Sequence, residues 1–454
     1  MDETPPSDLE ALVAVGASSQ IPAVGAIEAD AHATGSPLFS AVGAKLATSM
    51  FLHHFTQGAW MVTLGSYVRA NTDPSGAAIF SAGFVGTIYG AGPLGGMISP
   101  FVSGVLADRF FATERMMAVL NLFGAAALCA AVMATTQAGF YLAVLAYFVC
   151  FLPSFALTAS LTFHHLENPQ RHFPVVRSIG TAGWVVGGVF VGWFWPWLTG
   201  EVIESTATPI KIAIVGALVT AAFCFFLPHT PPSYRRDPLD PPGLKSADSL
   251  TLVRHPQFVL LLILAAMAHM PSQFYYAYGN VFLNWTGMSS VAAKMTLGQM
   301  VEVGCIILLP AILLRVSVKR AILLGLAIWS ARFWMFSAAA SFSAGGRDAL
   351  LYTTILLHGL AFTLVSISLQ LEVDLIAGRR RRATAQGLLS VANQGIGCFF
   401  GAELAGMAGS RWLATSDPAA LVEGWTLFWR LPAYGAFAVF MLALVLLPRD
   451  RPPG

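Results

Sequence analysis

Residues 210–270 read IKIAIVGALVTAAFCFFLPHTPPSYRRDPLDPPGLKSADSLTLVRHPQFVLLLILAAMAHM. The stretch opens and closes on apolar runs. Between them, His229 to His255 holds Pro231, Pro232, Pro238, Pro241 and Pro242 and the basic residues Arg235, Arg236, Lys245 and Arg254. An apolar run of roughly 20 residues is what a helix needs to cross a bilayer, and a segment this rich in proline and charge cannot continue one. The stretch therefore predicts two membrane-crossing helices separated by a polar linker.

The same alternation repeats outward in both directions. Apolar spans fall at 45–68, 78–107, 116–136, 138–164, 174–198 and 210–228 before the break, and at 256–283, 291–314, 321–339, 349–371, 384–408 and 427–447 after it. Turn chemistry or charge separates them, as at Asn71-Thr-Asp-Pro74, Asp108-Arg109 and Ser343 to Asp348. Composition agrees: 56% of the 454 residues are hydrophobic and 11% charged, against about 25% charged in soluble domains. A chain this apolar cannot cover its own surface with polar groups, so the excess faces lipid. The fold class expected is an all-α membrane protein of twelve transmembrane helices in two six-helix bundles. The bundles are 41–228 and 256–448. Around them lie an acidic, disordered cytoplasmic tail (1–40), a cytoplasmic linker (229–255) and a short cytoplasmic tail (449–454).

Basic residues orient the helices. With the N-terminus inside, sixteen of the 25 Lys and Arg residues fall in inside loops and the C-terminal tail, and six outside. Lys45, Arg177 and Arg332 lie at or within spans. The bias places both termini in the cytoplasm and the protein in a plasma membrane, the inner membrane of a bacterium. The N-terminal segment has no Lys or Arg before Lys45 and so lacks the basic start of a signal peptide. A net charge of +2 gives no reason to expect a nucleic-acid partner. Cys129, Cys150, Cys224, Cys305 and Cys398 each sit in an apolar run without a CxxC pair, which reads as small buried residues rather than a disulfide framework. The sequence contains no P-loop, HExxH motif, metal-ligand cluster or nucleophile elbow. Neither cofactor, metal nor enzymatic reaction is expected.

Spans five and eleven share a glycine density. One carries Gly180, Gly183, Gly187, Gly188 and Gly192, the other Gly387, Gly395, Gly397, Gly401 and Gly406. Small residues let helices approach closely in lipid. Two six-helix halves with matching glycine-rich helices suggest a transporter built from repeats, with its solute at the midplane.

Polar residues inside the spans are the candidate site. A carboxylate at a helix centre costs roughly 2.5–3.5 kcal/mol on insertion scales and marks function by default. Glu302 is such a residue, lying roughly 12 Å past Lys294 and roughly 20 Å before Arg315 at the helical rise. Gln299 shares its face. Together they suit vicinal hydroxyls or an amide edge, and the alternative is a structural hydrogen bond between helices. Arg177, Thr181 and Trp184 form one face of span five, fit to hold a polar ring compound. Alternatively, Arg177 snorkels to the interface. Gln273 and Tyr276 sit among the aromatics of span seven, where rings stack on planar ligands or pack between helices. His269 and His358 are candidate proton relays or hydrogen-bonded core residues. Arg332 is structural glue or a partner for an acid, and Glu403 is a second carboxylate nearer the outside end.

The loop Gly104-Val-Leu-Ala-Asp108-Arg109-Phe-Phe-Ala-Thr-Glu-Arg115 resembles the signature between the second and third helices of the major facilitator superfamily. There Asp108 and Arg109 would latch one conformation. Phe111 stands where that family prefers glycine. Further segments resemble the nucleoside:proton symporters within the superfamily. They are Gly58-Ala-Trp60-Met-Val-Thr-Leu-Gly-Ser-Tyr67, Arg177-Ser-Ile-Gly-Thr181, Gly279-Asn280-Val-Phe-Leu283, Gln299-Met-Val-Glu302, Trp329-Ser-Ala-Arg332-Phe333 and Arg382-Ala-Thr-Ala-Gln386-Gly387. The resemblance runs from about Phe51 to Pro448. It implies a monomeric carrier that takes up a nucleoside with protons. It places binding positions on Arg177, Thr181, Gln273, Gln299, Glu302 and Phe362, with Trp184 in place of a phenylalanine and Glu302 as the proton site. Two positions depart from the family pattern. Tyr276 replaces a ligand-contacting asparagine, which changes the base or sugar accepted. Thr363 replaces an aspartate, which either uncouples transport from protons or shifts coupling onto Glu302 alone. A carrier for another small polar solute, such as a sugar or nucleobase, is the alternative within this fold. A membrane receptor that binds without transporting is the alternative outside it.

Overall fold

The computed structural model describes residues 37–72, 75–106, 112–167, 169–231, 252–342, 344–378 and 381–447. Asp108 and Arg109, nearly all of the acidic tail, most of the linker, Arg379, Arg380 and the last seven residues lie outside them. The named elements of the described residues are all helices, and Thr72 pairs with Ala78 in an isolated bridge.

The N-terminal group of helices comprises α1 (Ala41–Met61), α2 (Leu64–Ala70), α3 (Phe84–Leu106), α4 (Thr113–Met133), α5 (Gln137–His165), α6 (169–199) and α7 (Thr208–Cys224). The C-terminal group comprises α8 (Pro256–Trp285), α9 (Val291–Leu313), α10 (Val318–Ala339), α11 (344–377), α12 (382–412) and α13 (Pro418–Leu446). Among the described residues, eight helices are long and apolar enough to cross a membrane: α4, α5, α8, α10 and α13 in full, and Val175–Thr199, Val291–Leu309 and Gly345–Ala377 within α6, α9 and α11. The helix Thr208–Cys224 is apolar but shorter. Large apolar side chains such as Phe225, Ile307 and Val445 are more than two-thirds exposed, as a lipid-facing surface requires.

Local chemistry sets the helix starts. The side chains of Ser40, Thr136, Ser317 and Asp417 accept from the backbone N–H of Gly43, Gly139, Arg320 and Ala420 at 3.1, 3.1, 3.3 and 2.9 Å, satisfying donors that a helix start leaves open. The last cap explains a difference from hydropathy. The sequence places the final span at 427–447, but Asp417 with Pro418 starts α13 nine residues earlier. α11 likewise runs on past 371, because Asp374 is buried against Arg382 Nε at 3.0 Å and Gln386 Nε2 at 2.6 Å. Pairing removes the cost that a lone carboxylate would carry there.

Among the described residues, three π-helical turns interrupt the helices, at Phe190–Phe194 in α6, Thr363–Ile367 in α11 and Val391–Gly397 in α12. Such turns collect at functional positions. α6 packs against α1, α12 against α3 and α9 against both α6 and α11. The α3–α12 contact depends on two glycines. A Cβ on Gly86 would stand 2.1 Å from the backbone N of Gly406, so no side chain fits between the helices.

The two groups are joined by hydrogen bonds at the end of the molecule opposite the described chain ends, here the distal end. Arg69 donates to Leu413 O at 2.6 Å, Tyr278 to Ala82 O at 2.8 Å and Ser66 to Asn280 Oδ1 at 2.6 Å. At the other end, the bonds of Glu114 to His229 and of Lys319 to Leu447 O stay within one group or its adjoining segment.

Candidate functional site

Glu302 lies midway along α9, half-buried. Its position depends on Gly359 of α11, where a Cβ would come within 2.3 Å of the Glu302 backbone N. Helices α9 and α11 therefore touch backbone to backbone at the carboxylate. Thr363, which opens the π turn of α11, directs its Oγ1 to Glu302 O at 3.5 Å.

Arg177 lies on α6, in the other helix group. The two are close enough to interact electrostatically. Arg177 itself is held by α1. Its Nη1 donates to Nε2 of His54, and His54 Nδ1 donates to Met50 O at 2.7 Å, which assigns the ring its tautomer. The guanidinium also lies 5.7 Å from the centre of the Phe155 ring, within cation–π range. The side chain thus runs across to α1, as a site residue would, rather than along the helix towards an interface. Arg177→Lys is expected to lower initial uptake rates roughly tenfold, about the worth of one hydrogen bond to a charged group, because an ammonium lacks the planar fork. Vesicle uptake with protein level and thermal midpoint held at parent values checks this.

Tyr276 approaches from α8. Its hydroxyl lies 3.5 Å from His358 Nε2, and the ring is within electrostatic reach of Glu302 and Cys398. Gln273, one turn earlier, lies near the Cys398 thiol, which donates to Gln394 Oε1 at 3.8 Å. Gln273 and Tyr276 thus meet α11 and α12 from one face of α8. Gln299 is half-buried one turn before Glu302. Thr181 and Trp184 are half-buried on α6 beyond Arg177, and Thr181 Oγ1 stays with the backbone of its own helix. The indole Nε1 of Trp184 is buried without a partner among the described residues, a donor that a bound solute would satisfy. Phe362 is 6% exposed, with its ring centre 6.1 Å from His358 and 6.4 Å from His269. Its ring packs beside both histidines.

The remaining buried polar residues divide by role. Arg332 donates from Nε to Thr354 O at 2.7 Å and stacks 4.0 Å over Tyr275. Among the described residues no acid pairs with it, so the guanidinium holds α8, α10 and α11 together. Glu403 accepts from Thr87 Oγ1 at 3.3 Å across the α3–α12 contact. His269 bonds Ala265 O and Ser366. Sequence reasoning missed His54, although His53-His54 inside an apolar run is the signal. It also missed Glu204, which lies in a loop where hydropathy gives no warning. No group of His, Cys, Asp or Glu suited to a metal occurs among the described residues. A groove of about 430 Å³ at the distal end, lined by Tyr67, Asn71, Thr72 and Thr206, is open to the surface and contains none of these residues.

The profile of the family described as Nucleoside H+ symporter matches residues 41–451. The chain belongs to that family. YegT of Escherichia coli strain K12 is 33% identical over 409 residues, covering 89% of this chain and 92% of the relative. The xanthosine permease of the same strain is 26% identical over 418 residues, covering 89% and 94%. The crystal structure of the nucleoside transporter NupG superposes with a TM-score of 0.79 at 21% identity, covering 90% of this chain and 100% of that one. This symporter family member therefore shares the NupG fold, and its relatives are transporters rather than enzymes.

Proposed function

We propose that this protein is a secondary transporter that imports nucleosides with protons by alternating access. The observation that carries the reading is that Glu302 and Arg177, on opposite helix groups, lie within electrostatic range of each other. An acid in lipid is costly unless it serves a solute or a proton, and a site shared between two moving halves changes its affinity as they rock. Arg177, Thr181, Trp184, Gln273, Tyr276, Gln299, Glu302 and Phe362 form the substrate site, and Glu302 carries the proton. The eight apolar helices and the four remaining helical passes make twelve crossings. The halves are 41–228 and 256–448, both termini are cytoplasmic, and the monomer works in the bacterial inner membrane. Asp108 and Arg109 latch the cytoplasmic side.

Tyr276 favours a second reading of the cargo, because a phenol in place of a family amide alters the hydrogen bonds offered to a base or sugar. Uptake of labelled uridine and adenosine into proteoliposomes, with and without an inward proton gradient, is the test. Competition by unlabelled sugars and nucleobases identifies the solute class. Uptake of neither nucleoside under a gradient would remove the proposal. Binding in detergent without uptake would instead identify a receptor.

A further inference from the structure

Glu204 lies in the loop between α6 and α7, at the seam where the two helix groups meet distally. Only 3% of its surface is exposed. The carboxylate belongs to the N-terminal group, yet its donors belong to the C-terminal group. Oε2 accepts from Asn280 Nδ2 at 3.1 Å and from Asn284 Nδ2 at 3.5 Å, and Oε1 accepts from the Ala292 backbone N–H at 3.1 Å. Ala292 is the second residue of α9, so Glu204 caps the start of a helix in the opposite group, where open N–H donors and the helix dipole favour an acceptor. Ser66 of α2 completes the cluster through Asn280 Oδ1 and Asn284 Nδ2.

We propose that Glu204 is a proton-responsive latch of the distal gate, joining the halves when α9 is capped and releasing them when the cap is withdrawn. The inference rests on the alternating-access reading above.

The groups that face Glu204 are neutral. From α8 these are the amides of Asn280 and Asn284, from α9 the backbone N–H groups of Val291 and Ala292, and from α2 the Ser66 hydroxyl one bond away. Charged and titratable groups nearby are engaged elsewhere. Arg69 bonds Leu413 O, Lys294 lies near the Tyr352 ring and Ser289, and Tyr67 bonds Asn71. Glu201 and Lys211 are exposed. Burial raises the Glu204 pKa above its ordinary value, outweighing the hydrogen bonds that favour the anion. The sign follows. The closed latch holds a proton more tightly than an open, hydrated Glu204 would. Falling pH therefore strengthens closure, and the contribution is lost as pH rises through the raised value. The gate is acid-closed and alkali-released.

The test uses the full chain with its five cysteines replaced and spin labels at Ala70→Cys and Ser289→Cys, two exposed positions on opposite sides of the seam. Electron–electron distances in lipid nanodiscs are followed from about pH 4.5 to about pH 8, within the range a buried carboxyl titrates over. The expected result is a short distance at acid pH and a growing long-distance population at alkaline pH. The ratio should move monotonically towards the long distance as pH rises. Glu204→Gln keeps an acceptor without a titrating proton, and should hold the short distance throughout. Glu204→Ala should favour the long distance at every pH. A distance distribution in the parent that ignores pH, or a Glu204→Gln protein that titrates like the parent, overturns the proposal. Uptake by the unlabelled parent protein with its native cysteines separates the two ideas. A pH-dependent distance without nucleoside uptake supports the latch while discarding the transport reading.

Discussion

Glu302→Gln is expected to abolish the stimulation of nucleoside uptake by an inward proton gradient and to lower uptake between about tenfold and a hundredfold. The magnitude is that of hydrogen bonds to a charged group, roughly 1.5–3 kcal/mol, lost where Arg177 is left facing a neutral amide across the two helix groups. Glutamine keeps the size of the side chain, so close packing of α9 on Gly359 is undisturbed, and the variant should express and melt like the parent. Proteoliposome uptake of labelled uridine and adenosine, run with and without the gradient, checks both effects. Thr363→Asp is the complementary change. It places beside Glu302 the carboxylate that the family resemblance implies for this position, and should steepen the dependence of uptake on the gradient. Gradient-stimulated uptake that survives Glu302→Gln would move the proton site elsewhere in the chain.

The second large effect is steric. Gly359→Ala places a methyl 2.3 Å from the Glu302 backbone N and equally close to Gly298 O. Neither contact is a flexible side-chain end, so α9 and α11 must separate. Overpacking of this kind costs about 1–3 kcal/mol, and it displaces Glu302, the residue we propose to bind solute and proton. The expected outcome is a lowered thermal midpoint by fluorescence-detected chromatography, together with loss of most uptake. Gly304→Ala on the same helix α9 is the control, because a Cβ there meets nothing within 4 Å. It should leave both measurements unchanged. Equal losses in the two variants would mean that the α9–α11 contact has no special role.

The two effects differ in how far the sequence foretold them. Glu302 stands out by charge alone, since a carboxylate far from both ends of an apolar run is conspicuous without coordinates. Gly359 does not, because one glycine among 42 carries no mark of the backbone it touches. Arg177 is intermediate. Its face on α6 was legible from i, i+4 spacing, but snorkelling and inward pointing were equally compatible with that spacing. The His54 nitrogen and the Phe155 ring favour the inward course.

Hydropathy and turn chemistry by themselves determined that this is a helical membrane protein, roughly where its apolar helices run, and which intramembrane polar residues call for an explanation. These are local properties: the bilayer demands runs of a set length, and internal hydrogen bonding then forces them to be helices. Motif order determined the family resemblance. Tertiary structure alone decided which residues from opposite groups meet. It brought Arg177 within electrostatic range of Glu302, set Gly359 on the Glu302 backbone and placed Glu204 on the first turn of α9. Those contacts join residues far apart in the chain, and no local pattern encodes such a pairing. Packing selects it, by asking which faces fit and which buried charges find partners.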